Sequence, residues 1–192
     1  MARPKAFDTT AALDAAMRVF WERGYEATSV QDLVEALGIN RASLYATFGD
    51  KAQLFEAALE RYGAQVQANL QAYLAPPHAG REAVAAYFAA AIEQATRPGV
   101  PGGCLMLNTA AACTAAPPKL IDRAASSLRE NEGALYRALR RDPTLSVRKD
   151  LRHIARFFAA EAHGLGMLAR TGATVSQLRG AANVALRVLD VV

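Results

Sequence analysis

Apolar residues recur at three- and four-residue intervals along nearly the whole chain, and no segment alternates with the two-residue period of a strand. The pattern predicts an all-α protein of about nine helices. Leu13, Ala16, Met17, Phe20, Trp21 and Gly24 form one stripe, with Asp8 and Thr9 as caps before it and Gly24 as its end. A second helix opens at Thr28 or Ser29, because Thr28 with Gln31, or Ser29 with Asp32, has capping-box spacing. Val30, Leu33, Val34 and Leu37 give it one apolar face, and Gly38 stops it. Asn40 is placed to cap a third, short helix from Arg41 to about Thr47. After Gly49-Asp50 a long helix is expected over 51–74, then others over 81–97, 104–116, 118–141, 147–171 and 175–190. The stretch 76–80 is a connector, and 98–103 is the clearest loop. The organisation is a head, residues 1–50, joined without a flexible linker to a larger helical body, residues 51–192.

Within the head, Ser29 to Phe48 has the layout of a helix-turn-helix: an apolar-faced helix, a short glycine-containing turn and a second short helix. Such a unit sets its second helix in the major groove of double-stranded DNA. Leu44 and Phe48 are spaced to face inward onto Leu33 and Leu37, which turns Ala42, Tyr45 and Ala46 outward. Arg41 and Ser43 flank them at the helix start. Arg41 is suited to donating two hydrogen bonds to guanine, and Ala42 and Ala46 to close approach against thymine methyls. Tyr45, Thr47 and Lys51 are suited to phosphates, which fix register rather than sequence.

Charge does not supply this reading. The chain has a net charge of +4, but residues 1–51 carry six basic groups (Arg3, Lys5, Arg18, Arg23, Arg41, Lys51) against seven acidic ones (Asp8, Asp14, Glu22, Glu26, Asp32, Glu35, Asp50). That segment is therefore net −1, and the DNA argument rests on local arrangement. A hydrophobic content of 52% excludes a disordered chain, and no apolar run reaches the ~20 residues needed to span a bilayer. The N-terminus lacks the apolar stretch of a signal peptide, so the expected compartment is the cytoplasm and no membrane partner is expected.

The stretch Gly24-Tyr25-Glu26-Ala27-Thr28-Ser29-Val30-Gln31-Asp32-Leu33, then Leu37-Gly38-Ile39 and Leu44-Tyr45-Ala46-Thr47-Phe48-Gly49-Asp50-Lys51, resembles the TetR family signature over about a quarter of the chain. The resemblance implies a transcriptional regulator. It implies that Ser29, Gln31, Arg41, Ala42, Ser43, Tyr45, Ala46 and Lys51 meet DNA, with Asn40 and Thr47 beside them, and that Phe48 packs. Gly103 to Asn108 resembles one subgroup of the family's C-terminal domains, and His163 to Arg170 resembles its penultimate helix. Such proteins pair their last two helices with those of a second subunit. Ala155, Ala159, Ala162, Gly166, Ala181, Ala182 and Ala185 are the small residues that would permit close approach there. A two-fold dimer presents recognition helices to palindromic half-sites roughly 34 Å apart.

Apolar stripes and family precedent together suggest an effector pocket lined by Phe88, Ile92, Met106, Tyr136, Phe157, His163 and Met167, with Cys104 beside it. The effector is expected to be small and apolar, releasing a repressor from its operator. Cys104 raises an alternative, a redox- or electrophile-sensing thiol, if a helix N-terminus lowers its pKa. Cys104 and Cys113 lie nine residues apart, on opposite faces of one predicted helix, and cannot pair there. His153 and His163 cannot share a metal, and no cluster has metal-ligand spacing, so no cofactor is expected. An enzyme is not expected, since no base-orienter pair, phosphate loop or paired carboxylates stand beside Cys104. A helical binding module without DNA activity remains the other class. The run Arg137, Arg140, Arg141, Arg148 and Lys149 reads as a solvated face.

Overall fold

The computed structural model describes residues 7–112 and 114–190. Cys113, and with it the expectation that it cannot pair with Cys104, lies outside the described residues. Among those described there are ten α-helices and no strand. In order they are α1 (Thr9–Ala27), α2 (Val30–Leu37), α3 (Arg41–Phe48), α4 (Lys51–Leu74), α5 (Gly80–Thr96), α6 (Leu105–Ala112), α7 (Pro118–Arg140), α8 (Pro143–Ser146), α9 (Leu151–Arg170) and α10 (Val175–Leu186). A 3₁₀ turn, Arg187–Leu189, follows α10.

The local signals act much as the sequence dictates. Asp8 caps α1, its carboxylate accepting from the Thr10 and Ala11 amides. The α-helical path of α1 breaks at Gly24. Of the two possible starts for α2, Ser29 is the cap: its hydroxyl accepts from the Asp32 amide while the Asp32 carboxylate accepts from the Ser29 amide. Thr28, fully buried, instead donates its hydroxyl to the Gly24 carbonyl at 2.6 Å and closes the bend. Gly38 ends α2 in the left-handed region (φ 64°), where a side chain would strain the backbone. Asn40 caps α3 and Asp50 caps α4.

One expectation is corrected. The helix expected over 104–116 is shorter, because the Thr114 and Ala115 amides turn aside to donate to the Glu26 carboxylate at 2.8 Å each. A side chain thus outcompetes the helical ladder for those donors. The stretch 98–103 is a loop, as expected, and it packs against α9. A Cβ on Gly102 would meet the Arg170 backbone at 2.9 Å, so only glycine lets this loop lie on α9, and a Cβ on Gly166 would lie 3.5 Å from the Gly103 backbone.

Packing joins head to body. Phe20, Leu33 and Leu44 are fully buried in a cluster that runs on through Leu54, Phe55, Leu59 and Tyr62 of α4 into Leu105, Met106 and Leu120. Each such side chain contributes about 1.5–3 kcal/mol of apolar burial. The Arg61 guanidinium, on α4, grips the Asp14 carboxylate of α1 through two hydrogen bonds. A second cluster holds α5, α7, α9 and α10 together around Phe88, Leu135, Phe158 and Leu178. Among the predicted solvated arginines, two are structural. Arg141 donates to the Leu74 and His78 carbonyls, and Arg148 to the Val188 carbonyl and the Asp150 carboxylate.

Candidate nucleic-acid interface

The recognition surface is built on α3. Leu44 is fully buried against the head core and fixes the roll of the helix. Phe48 is half-buried, its ring 6.4 Å from that of Phe7. With those positions inward, Arg41, Ala42, Tyr45 and Ala46 stand exposed, and Tyr45 is 45% accessible. Ser43 and Thr47 are half-buried at the edges of that face. Arg41 has no ion pair among the described residues, leaving its guanidinium available. At the start of α2, Gln31 is exposed and donates to the Glu35 carboxylate at 2.8 Å. The Ser29 hydroxyl is already engaged with Asp32, and the Asn40 side chain with the Ser43 amide. Lys51 is half-buried with its ammonium 4.4 Å above the centre of the Tyr25 ring.

The structure also explains how an acidic head can present this face. Asp8 and Asp50 cap helices, Asp14 holds Arg61, and Asp32 both caps α2 and pairs with Arg23 at 2.6 Å. Glu35 takes Gln31, and Glu26 takes the loop amides. Six of the seven acidic side chains therefore have partners within the protein.

Glu26 is a clasp between head and body. Hydrogen bonds from the Ala115 amide, the Thr114 hydroxyl and the Thr114 amide hold its carboxyl below the ordinary value of 4.5. A group with a depressed folded pKa stabilises above its unfolded value and loses that contribution as pH falls through the folded one. Denaturation midpoints of the protein and Glu26→Gln should thus differ most above pH 4.5 and converge in more acid solution. Parallel curves across that range would refute the clasp.

The expected effector residues do not converge. Cys104 and His163 line a cavity where α1, α4, α5, α7 and α9 meet. Phe88 and Ile92 are instead closed into the body core, and Met106 into the head-side core. Tyr136 is half-buried beneath the Arg152 guanidinium, 4.4 Å from the ring centre. Phe157 is 40% exposed on the outer face of α9, and Met167 borders a separate open groove between α1 and α6. Helical periodicity gave their apolar character but not which neighbour each would meet. The cavity wall also includes Trp21, Tyr62, Tyr87 and Asn131. Asn131 had a legible signal: it interrupts the α7 stripe of Ala124, Leu135 and Ala138 at helical spacing.

Cys104 does stand at the start of α6, and the Met106 and Leu107 amides favour its thiolate as expected. Burial outweighs them and pushes the thiol above its ordinary value, so the lowered pKa expected from the helix terminus is not found. The Cys104 thiol is hydrogen-bonded with the Tyr62 hydroxyl.

A capped helix-turn-helix with an outward polar-and-alanine face on a wholly helical body defines a DNA-binding transcriptional regulator. Residues 12–58 match the family of bacterial regulatory proteins called tetR, and residues 80–185 match the tetracyclin repressor-like C-terminal domain. The chain belongs to the TetR family. It is 38% identical, over 96% of its length and 90% of the relative's, to the HTH-type transcriptional repressor ComR of Escherichia coli K12. It is 32% identical to the HTH-type regulator YezE of Bacillus subtilis 168, over 99% of this chain and all of that one. A cysteine-substituted form of the TetR-family regulator CifR, solved with a 26-bp operator, superposes with a TM-score of 0.87 at 32% identity, covering 98% of this chain and 100% of that one. These relatives are regulators rather than enzymes. Among the described residues, no helix is long and apolar enough to cross a membrane.

Proposed function

We propose that the protein is a homodimeric repressor that leaves a palindromic double-stranded operator when a small molecule binds its body. The exposed Arg41, Ala42, Tyr45 and Ala46 face on a helix locked by Leu44 is the observation that carries DNA recognition. Arg41 reads a base edge, Ala42 and Ala46 allow close approach, and Gln31, Ser43, Tyr45, Thr47 and Lys51 set register. Ser29 and Asn40 act mainly by holding α2 and α3, since their side chains already cap them.

Dimerisation uses α9 and α10. Phe157, Leu168 and Val184 are 40%, 48% and 62% exposed, large apolar side chains left uncovered on the last two helices. Added Cβ atoms at Gly164 and Gly180 would meet nothing, so both positions leave room for a facing helix. The alanines expected to serve this contact lie elsewhere. Ala155, Ala159, Ala182 and Ala185 are buried within the chain, because α9 and α10 turn that stripe toward α5 and α7. Ala162 and Ala181 pack at the border of the same core, and Gly166 faces Gly103.

Effector binding favours a body arrangement that takes the two α3 helices off half-site spacing, which requires unequal affinity for the two states. Affinity for DNA upstream of the protein's own gene, titrated against salt, tests the reading. A linear fall of log affinity with log salt is expected, with selectivity over random DNA. Equal binding to both would leave a non-specific helical module. The dimer has its own test. Leu168→Glu with Val184→Glu should sediment as a monomer and bind the operator about a hundredfold more weakly, as one head loses the other's effective concentration. A monomeric variant with unchanged affinity would sink the two-head reading.

A further inference from the structure

A cavity of about 110 Å³ lies where the DNA-binding head meets the body. Trp21 comes to it from α1, Tyr62 from α4, Tyr87 from α5, Asn131 from α7 and His163 from α9. Trp21 and Asn131 are each only 5% exposed. The Trp21 indole N–H and the Asn131 side-chain oxygen have no hydrogen-bond partner among the described residues. Folded proteins seldom leave buried polar atoms unmet, and here the two residues that carry one such donor and one such acceptor line the same small cavity.

Nothing in that wall supplies a counter-charge. Among the described residues, no Asp, Glu, Lys or Arg lines it. Burial lowers the pKa of His163 and raises that of the Tyr87 hydroxyl to about 12, so both remain neutral near pH 7. An ion entering would lose its hydration without compensation. Size limits the occupant further. A cavity of roughly 150 Å³ admits benzene, so this one takes something smaller, about five non-hydrogen atoms. An open hollow of about 450 Å³ adjoins the cavity, sharing Trp21, Gln65, Asn69, Gln94 and Pro101 with it and keeping Asp14, Arg18 and Arg97 in its own wall.

We propose that this cavity binds a small uncharged polar molecule of the primary-amide type, which accepts from the Trp21 indole N–H and donates to the Asn131 side-chain oxygen. This replaces the apolar effector expected from the sequence with one that is neutral but polar at both ends. Trp21 belongs to α1, so the ligand bonds the head itself as well as the body. Occupancy of the cavity stands on its geometry alone; its consequence for DNA rests on the ligand-responsive reading above.

Trp21 is the only tryptophan in the chain, so a full-length ¹⁵N-labelled sample has one indole resonance to follow. Propionamide and propionate form a neutral and charged pair of one shape. Propionamide should shift the indole signal saturably, and propionate at equal concentration should not. Asn131→Leu should weaken propionamide binding at least tenfold while leaving the melting temperature of the free protein unchanged or higher, because it removes an unpaired polar atom rather than a bond. An indole signal that ignores both solutes means the cavity holds water only and overturns the proposal. Equal binding of propionate, or unchanged affinity in Asn131→Leu, also overturns it. DNA affinity is read separately by fluorescence anisotropy. Saturating propionamide with no change in DNA affinity would keep the site and discard the ligand-responsive repressor. Release of DNA by propionamide, at fixed salt and with the indole signal unmoved, would do the reverse.

Discussion

Phe20→Ala should destabilise the protein by about 3–5 kcal/mol and remove DNA binding at the same time. Phe20 is completely buried, with the Phe55 ring centre 4.8 Å away and that of Tyr25 at 6.3 Å. Truncation leaves a void among side chains anchored on α1 and α4, neither of which can shift freely while Arg61 holds Asp14 across them. Total stability of such a protein is commonly only about 5–15 kcal/mol, so this loss is a large fraction. The cluster around Phe20 continues into Leu105, Met106 and Leu120, so the damage should not stay in the head. Urea denaturation followed by far-ultraviolet circular dichroism and by Trp21 fluorescence should show one transition, moved to lower urea in both signals. A variant that lost DNA binding while the body unfolded at its original midpoint would show instead that the head melts alone.

Arg41→Ala should leave the fold untouched and cost about 1–3 kcal/mol of discrimination at one base pair in each half-site. Arg41 is exposed at the first position of α3 and has no ion pair among the described residues, so truncation removes no internal bond. Its guanidinium has the fork geometry that guanine's major-groove edge accepts, and no other exposed cation lies on α3. The measurement is competition among operator variants changed one base pair at a time. The variant protein should treat all four pairs alike at the affected position and keep its preferences elsewhere. Lys51→Ala offers the contrast: a phosphate contact lowers affinity for every sequence evenly and reduces the salt slope by about one. An Arg41→Ala protein with full selectivity would assign base reading to other residues.

The helix-turn-helix was legible because its determinants are local. Ser29, Gly38, Asn40 and Asp50 act within four residues of themselves, and Leu33 and Leu44 declare an inward face by spacing alone. The acidic balance of the head was legible as a number but not as an arrangement, since Asp14 and Glu26 find partners 47 and 88 residues away. The same distance in sequence hid the shortening of α6. Nothing between 104 and 116 forbids a longer helix; the Glu26 carboxylate ends it from across the molecule.

The body shows the limit more sharply. Its apolar positions were found, but an apolar stripe does not say whether it meets its own chain, a cavity or another copy. Phe88, Phe157 and Met167 read as lining one pocket with Cys104 beside it, and the four occupy four different surroundings. Ala155, Ala159, Ala182 and Ala185 read as a surface for a second subunit and face inward. Sequence alone determined the helical class, the head and its recognition helix, because caps, breakers and periodicity are encoded within a turn or two of the residues that use them. Tertiary structure alone decided which side chains share a cavity, which carboxylates are taken and which face of the last helices stays bare. Those outcomes depend on the roll and crossing of helices far apart in the chain, and neither is written in the spacing within any one of them.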